Sequence, residues 1–257
     1  MSVSYSPESY KAYSYRESAV SVSGTALPIS VYAPGIKNSL NDTAVVCIHG
    51  GAWTSSLKEG EEWQGSWMRH HASLLASLGY YALEITHTNI AQTDICGVIS
   101  DIKTAFEVIK NTLMPRHGIK KLLAIGDSAG GHLALMSAFF EDKSLRPDKV
   151  VACNPVSDLT DPKWQLGAST AEDRKKASPL FICEETETEI LILHGDSDQT
   201  VPIEYSHKLH SHLTALGVGC ELEVLSGAAH AFILYGYKTP HDKVNEYMQT
   251  VLDYLGK

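Results

Sequence analysis

Apolar runs too short to be helices recur along this chain, and segments of helical periodicity separate most of them. Ala44–Ile48, Tyr80–Thr86, Leu122–Ile125, Val150–Cys153, Ile190–Leu193 and Glu221–Leu225 read as strands. Glu62–Leu78, Ile95–Leu113, Ala129–Phe140, Ile203–Leu216 and the stretch near Asp242–Leu255 read as helices, with apolar residues three and four apart. Strands that are apolar throughout must be covered on both faces. The pattern therefore predicts an α/β protein with a mostly parallel central sheet between two helical layers. Leu27–Ala33 is expected to add an edge strand. In such sheets ligand sites gather at the carboxyl ends of the strands.

No repeat or low-complexity tract divides the 257 residues, so one domain over 1–257 is expected. The alternation lapses between Cys153 and Ile190, where Pro155, Pro162 and Pro179 punctuate a charged stretch. Residues 155–188 are expected to form a small insertion, a lid or pocket wall near the active site.

Composition removes several classes of function. The longest apolar runs, such as Ala44–Ile48 and Ala231–Tyr235, are far too short to span a bilayer. A formal net charge of −9 supplies no basic field for nucleic acid or anionic lipid, so neither is expected as a partner. The five cysteines (Cys47, Cys96, Cys153, Cys183 and Cys220) are odd in number and contain no CxxC pair, which indicates neither a disulfide framework nor a zinc knuckle. The first twenty residues lack a basic region followed by an apolar one, and a cytoplasmic location is expected. His207, His210 and His212 lie on a predicted helix without a carboxylate to complete a ligand set, so no metal and no cofactor are expected.

Four motifs carry chemistry, each after a predicted strand. Gly126-Asp127-Ser128-Ala129-Gly130-Gly131 has the G-x-S-x-G pattern in the strand–turn–helix setting that projects a serine hydroxyl above a sheet. There, Gly126 and Gly130 permit close helix–strand approach, and the Ala129 N–H is a first-turn amide without an internal acceptor. His49-Gly50-Gly51-Ala52-Trp53 is a glycine-rich loop whose amides can face an oxyanion. Gly51 and Ala52 are the expected donors, with Gly50 in reserve and His49 as a brace for the loop rather than a base. His194-Gly195-Asp196-Ser197-Asp198 supplies carboxylates, and His230 follows the strand Glu221–Leu225. A serine needs a base, and the base needs an orienting acid. Asp198 is the preferred acid, with Asp196 in exchanged role or Asp158 as alternatives. Trp53 and Phe232 flank these groups and are expected as pocket walls, whereas Trp63 and Trp67 are expected in the core.

Together, HGGAW, GDSAGGHLAL, HGDSDQTVP and HAF resemble the α/β-hydrolase esterase/lipase superfamily, in the HGGxW branch of carboxylesterases and kynurenine-formamidase-like enzymes. The resemblance runs from about Ala44 to the C-terminus. It implies the α/β-hydrolase fold, triad roles for Ser128, Asp198 and His230, and an oxyanion hole from Gly51, Ala52 and Ala129. Ala177-Ser178-Pro179 also resembles a segment that precedes the acid-bearing strand in this superfamily. Two departures stand out. Ala52 replaces the third glycine of the lipase HGGG motif, and Glu84-Ile85-Thr86-His87-Thr88-Asn89 replaces the Asp-Tyr-Arg-Leu stretch of many relatives. His87 is left as either a polar loop residue or a pocket residue.

The expected activity is hydrolysis of small short-acyl esters through an acyl-serine, with a small-molecule ester or amide as the only partner and the oligomeric state open. An arylformamidase acting on N-formyl aromatic compounds would use the same groups. A peptidase is disfavoured because no propeller-like domain precedes the motifs. The alternative from another class is a catalytically inactive hydrolase-fold receptor or interaction module.

Overall fold

The structure is a computed structural model and describes residues 2–21, 24–35, 42–54 and 66–256. Eight strands form one sheet: β1 (Tyr15–Val20), β2 (Ala26–Tyr32), β3 (Thr43–Ile48), β4 (Tyr81–Ile85), β5 (Lys121–Asp127), β6 (Lys149–Cys153), β7 (Glu189–Gly195) and β8 (Cys220–Leu225). Their order is β1-β2-β4-β3-β5-β6-β7-β8. The β1–β2 and β2–β4 pairs are antiparallel, and β4 through β8 run parallel. This is the mostly parallel sheet that the alternation predicts, in the α/β-hydrolase architecture that the resemblance implies.

The inner strands are apolar because both faces are buried, and their side chains divide with a period of two. Ala44, Val46 and Ile48 of β3 join one core with Leu122, Ala124, Val150, Ala152, Ile190 and Ile192. Val45 and Cys47 join the opposite core with Leu123, Ile125, Val151, Cys153, Leu191 and Leu193. The first core is closed by α2 (Ile95–Val108), α4 (Ala129–Ser137) and α7 (Glu204–Ala215), the second by α1 (Arg69–Ser77) and α8 (His241–Leu255). In α8, Val244, Met248, Val251 and Leu255 fall on one stripe and are buried. By contrast α4, which bears the elbow serine at its start, is buried all round. Asp94 caps α2 by accepting from the Gly97 N–H at 2.7 Å. A π-helical turn, Ile109–Leu113, then leads into the short α3 (Met114–His117).

Several expectations are corrected. Leu27–Ala33 is an interior strand: β1 pairs with it and forms the edge. Polar Tyr15–Val20 hides that strand because an edge strand does not need apolar residues on both faces. The helix expected over Glu62–Leu78 begins only at Arg69, while its first residues and Trp63 lie outside the described residues. Trp67 is exposed (43%) and meets Tyr237 edge to face, so it is not a core residue. β8 is the other edge, and three of its six residues are exposed.

Residues 155–188 contain α5 (Ala171–Lys176), closed by a reciprocal Thr170–Asp173 capping box, and α6 (Pro179–Ile182). Leu166 and Ala177 join the α4 side of the core, and Trp164 lies edge-on to Trp53 with centroids 6.0 Å apart. Among the described residues, no helix is long and apolar enough to cross a membrane.

Candidate active site

Glycine is required at the β5–α4 turn by distance. A Cβ on Gly126 would stand 2.1 Å from the Gly130 carbonyl oxygen, and one on Gly130 would stand 2.1 Å from that of Ile48. The close approach of strand, turn and helix forces Ser128 into a left-handed backbone conformation (φ 56°, ψ −118°). The Ser128 N–H donates to the Cys153 carbonyl at 2.8 Å and anchors the turn to β6.

Two other strand ends deliver side chains to this hydroxyl. Ser128 Oγ lies 3.0 Å from His230 Nε2, and His230 Nδ1 lies 2.7 Å from Asp198 Oδ2. A carboxylate can only accept, so His230 carries its proton on Nδ1 and presents an open lone pair to the serine. The other oxygen, Asp198 Oδ1, accepts from the N–H groups of Thr200 (2.7 Å) and Val201 (2.9 Å). His194 Nε2 approaches Oδ2 at 3.5 Å while donating to the Val201 carbonyl at 3.0 Å. Burial works to raise Asp198, but the bonds from His194, His230 and Val201 prevail and hold its carboxyl well below the usual carboxylate range.

The alternative acids are occupied elsewhere. Asp196 is exposed and accepts from the Gly227 N–H at 2.7 Å, bracing the turn before His230. Asp158 folds back on Thr160, accepting from its N–H at 2.9 Å and its hydroxyl at 2.6 Å.

The loop after β3 runs beside the elbow, since a Cβ on Gly50 would meet the Asp127 carbonyl oxygen at 2.7 Å and Ser128 Cβ at 3.3 Å. Gly51, Ala52 and Trp53 all have positive φ (99°, 52° and 58°), which curls the loop and leaves Gly51 and Ala52 exposed. Ala129 opens α4 beside Ser128. His49 braces the loop: Nδ1–H donates to the Gly50 carbonyl at 2.8 Å, and Nε2 accepts from the Thr86 hydroxyl at 3.0 Å. Burial lowers the pKa of His49. His87 is fully buried and stacks on His49 at 4.8 Å, so it is neither an exposed loop residue nor open to a pocket. Burial, with His49 beside it, lowers His87 to about 3 and keeps both rings neutral.

Trp53 and Phe232 are not pocket walls. Trp53 is 1% exposed and Phe232 0%, because each ring closes one of the two cores rather than facing solvent. The Trp53 Nε1–H donates to His132 Nδ1 at 3.0 Å, and His132 Nε2–H donates to the Ala177 carbonyl at 2.7 Å. That chain ties the β3 loop, α4 and the 155–188 stretch together. Phe232 instead packs edge-on to Tyr247 of α8 at 5.0 Å.

Sequence reasoning passed over Asn154 and Asp127. Asn154, at the carboxyl end of β6, has a positive φ (43°) and lies fully buried among Asp127, Gly195, Asp198 and Ala231. An Asn-Pro pair after an apolar strand was the only local signal of a special backbone there. Asp127 is buried beside the serine, and burial raises its pKa to about 6. A groove of about 1250 Å³ lies at the opposite, amino ends of the strands, lined by Lys110, Lys121, Arg146 and Asp148 among others, and holds none of these residues. Among the described residues, no three His, Cys, Asp or Glu side chains group as metal ligands.

A parallel-rich sheet with a serine at the sharp turn after its central strand defines an α/β-hydrolase. The chain matches the BD-FAE family over residues 29–159 and the prolyl oligopeptidase family over residues 98–257, each half or more of its length, and belongs to these families. Its fold is similar to that of Thermogutta terrifontis esterase 2. The form phosphonylated by cyclosarin has a TM-score of 0.77 at 24% identity, covering 99% of this chain and 98% of that one. The propionate-bound form has a TM-score of 0.77 at 23% identity, with the same coverage of 99% and 98%. Among curated proteins, a stretch is 32% identical over 93 residues to the uncharacterized peptidase YuxL of Bacillus subtilis, 35% of this chain and 14% of that protein. Another is 39% identical over 72 residues to the non-reducing polyketide synthase mapC' of Penicillium brevicompactum, 27% of this chain and 3% of that protein. The match thus spans only a small part of the length of either curated relative.

Proposed function

We propose that this chain is a serine carboxylester hydrolase that cleaves small, short-acyl esters. The observation that carries the reading is the continuous hydrogen-bonded line from Ser128 through His230 to Asp198, at 3.0 and 2.7 Å. In the first half-reaction His230 Nε2 takes the Ser128 proton as Oγ attacks the ester carbonyl. The resulting oxyanion is received by the backbone N–H groups of Gly51, Ala52 and Ala129. As the intermediate collapses, the C–O bond to the alcohol breaks and His230 returns the proton to the leaving oxygen. Water then enters, gives its proton to His230 and attacks the acyl-serine, and the acid departs as Ser128 is reprotonated. Asp198 holds the productive tautomer and stabilises the transient imidazolium.

A short-acyl preference is the reading we adopt for a site whose flanking aromatic side chains, Trp53 and Phe232, are both buried in the cores. Propionate- and butyrate-bound forms of the structurally similar esterase 2 fit the same preference. We take the 155–188 stretch, which packs on Trp53 and His132, as part of the same domain as the sheet. Turnover of p-nitrophenyl esters from acetyl to palmitoyl is expected to peak at two to four carbons, with peptide p-nitroanilides and N-formyl anilides much slower. A fluorophosphonate is expected to label the protein and to spare Ser128→Ala. Rates that climb toward palmitoyl overturn the short-acyl assignment, and an intact protein that neither hydrolyses nor labels is a receptor instead.

A further inference from the structure

Asn154 follows β6 among the strand ends that bear the catalytic groups, and the charge of Asp198 fixes which way its amide points. With Nδ2 toward the acid, it donates to Asp198 Oδ2 at 3.2 Å while Oδ1 accepts from the Ala231 N–H at 3.2 Å. Turned over, the amide oxygen would meet a carboxylate and the NH2 group a backbone N–H, in return for two contacts of 3.4 Å, to Asp127 Oδ1 and the Gly195 N–H. An ionised carboxylate has no proton to offer an amide oxygen, so the first orientation stands. One fully buried side chain thereby reaches both the acid on the β7 loop and the residue that follows the base on the β8 loop. The backbone is built to place it. The Asn154 N–H donates to the Leu193 carbonyl at 2.8 Å, and the residue takes a left-handed conformation (φ 43°) that asparagine tolerates better than most. Ala231 is left-handed as well (φ 59°) without glycine's freedom, so the peptide that joins it to His230 needs a partner to hold it there.

We infer that Asn154 is a positioning residue: its amide links the loops of acid and base and holds Asp198 Oδ2 in line with His230 Nδ1. The inference rests on the triad reading above and adds a fourth side chain to it. Each end of the amide has its own consequence. Nδ2 shares the oxygen that accepts from His230 Nδ1, so it draws charge from that oxygen and moderates its hold on the imidazolium. Oδ1 keeps the His230–Ala231 peptide from swinging the imidazole away from Ser128 Oγ. The other titratable groups around Asp198 and His230 are His194 of β7 and Asp127 of β5, with Cys153 of β6 beside Asp127 and exposed Asp196 bonded to the turn before His230.

The test measures kcat, KM and the pH profile of kcat/KM on p-nitrophenyl butyrate for wild type, Asn154→Gly and Asn154→Asp. Glycine keeps the left-handed backbone and removes both bonds, whereas aspartate keeps an acceptor for Ala231 and loses the donor to Asp198. In Asn154→Gly, kcat is expected to fall roughly 10–100-fold with KM within about twofold, the loss of one hydrogen bond to a charged group. Its acid limb is expected to move up by about half to one pH unit, because the unshared carboxylate holds the imidazolium more tightly. Asn154→Asp sets a second negative charge beside Asp198, and its acid limb is expected to move further in the same direction. The downfield NMR signal of the His230 Nδ1 proton should shift in both variants. A merely structural role lowers the melting temperature but leaves the acid limb and that signal where they are in wild type, which refutes the inference while the triad stands. A neutron structure of the wild type needs no variant: deuterium on the Asn154 atom facing Asp198 is expected, and an oxygen there refutes the inference. Hydrolysis that survives Ser128→Ala refutes the triad itself.

Discussion

Replacing Asp198 by asparagine changes one atom and should nearly abolish turnover. The carboxylate accepts from His230 Nδ1 at 2.7 Å on one oxygen and from two backbone N–H groups on the other, and its side chain is fully buried. An amide can keep the two backbone bonds only by turning its oxygen toward Thr200 and Val201, which points its NH2 at His230. The imidazole must then accept on Nδ1 and carry its proton on Nε2, where it can no longer take one from Ser128. Restoring the productive tautomer means losing a charge-assisted hydrogen bond and leaving donor against donor in a buried place. Together these cost roughly 3–6 kcal/mol, or about 10²–10⁴-fold in kcat. The assay is kcat and KM on p-nitrophenyl butyrate at pH 8, with the fluorophosphonate labelling rate as a second measure. KM should barely move, and both rates should fall together. Asp196→Asn is the control, since that exposed carboxylate braces only the Gly227 turn, and its kcat should stay within about threefold of wild type. If Asp198→Asn retains a tenth or more of the wild-type kcat, or if Asp196→Asn is the more damaging change, the tautomer argument is wrong.

Three further outcomes follow from the same geometry. Trp53→Phe leaves His132 Nδ1 without its donor in a sealed site, and chemical denaturation should show a loss of about 1–3 kcal/mol; a loss under half a kcal/mol contradicts the bond. Gly130→Ala puts a methyl group where only 2.1 Å separates it from the Ile48 carbonyl oxygen, so soluble folded protein should be lost or greatly reduced, and a variant that melts like wild type refutes the packing. Asp127 is raised in the folded chain from 3.8 to about 6, so the native state binds a proton that the unfolded chain releases between those values. Its contribution to stability therefore improves as pH falls from about 6 toward 4, and thermal melts of wild type relative to Asp127→Asn should show that gain. Equal pH dependence in the two proteins excludes it.

Much of the site was legible before any coordinates because its parts are local. A nucleophile elbow needs glycines on both sides of the serine for close approach, and that requirement is written in consecutive residues, Gly126 to Gly130. Asp198 follows the apolar strand β7 and His230 the partly exposed edge strand β8, and a parallel sheet places both ends on one rim. The weaker expectations failed where a residue's neighbours come from distant sequence. Trp53 and Phe232 flank the chemistry along the chain, yet their rings point into opposite cores. His87 looked like a polar loop residue, but it is buried against His49 of the adjacent strand. Tyr15–Val20 carried no strand pattern because an edge needs only one buried side.

Alternation of short apolar runs with helical segments was enough to determine a covered parallel sheet, since every such strand must be shielded from water on two sides. Motif order along the chain was enough to name a hydroxyl, an imidazole and a carboxylate for one rim. Tertiary structure alone decided which of three aspartates meets His230, because that depends on loop curvature set by backbone bonds to Thr200, Val201 and Gly227. It alone also revealed Asn154 between two carboxyl groups, an arrangement whose partners lie on three other strand ends and whose energetics exist only once water has been excluded.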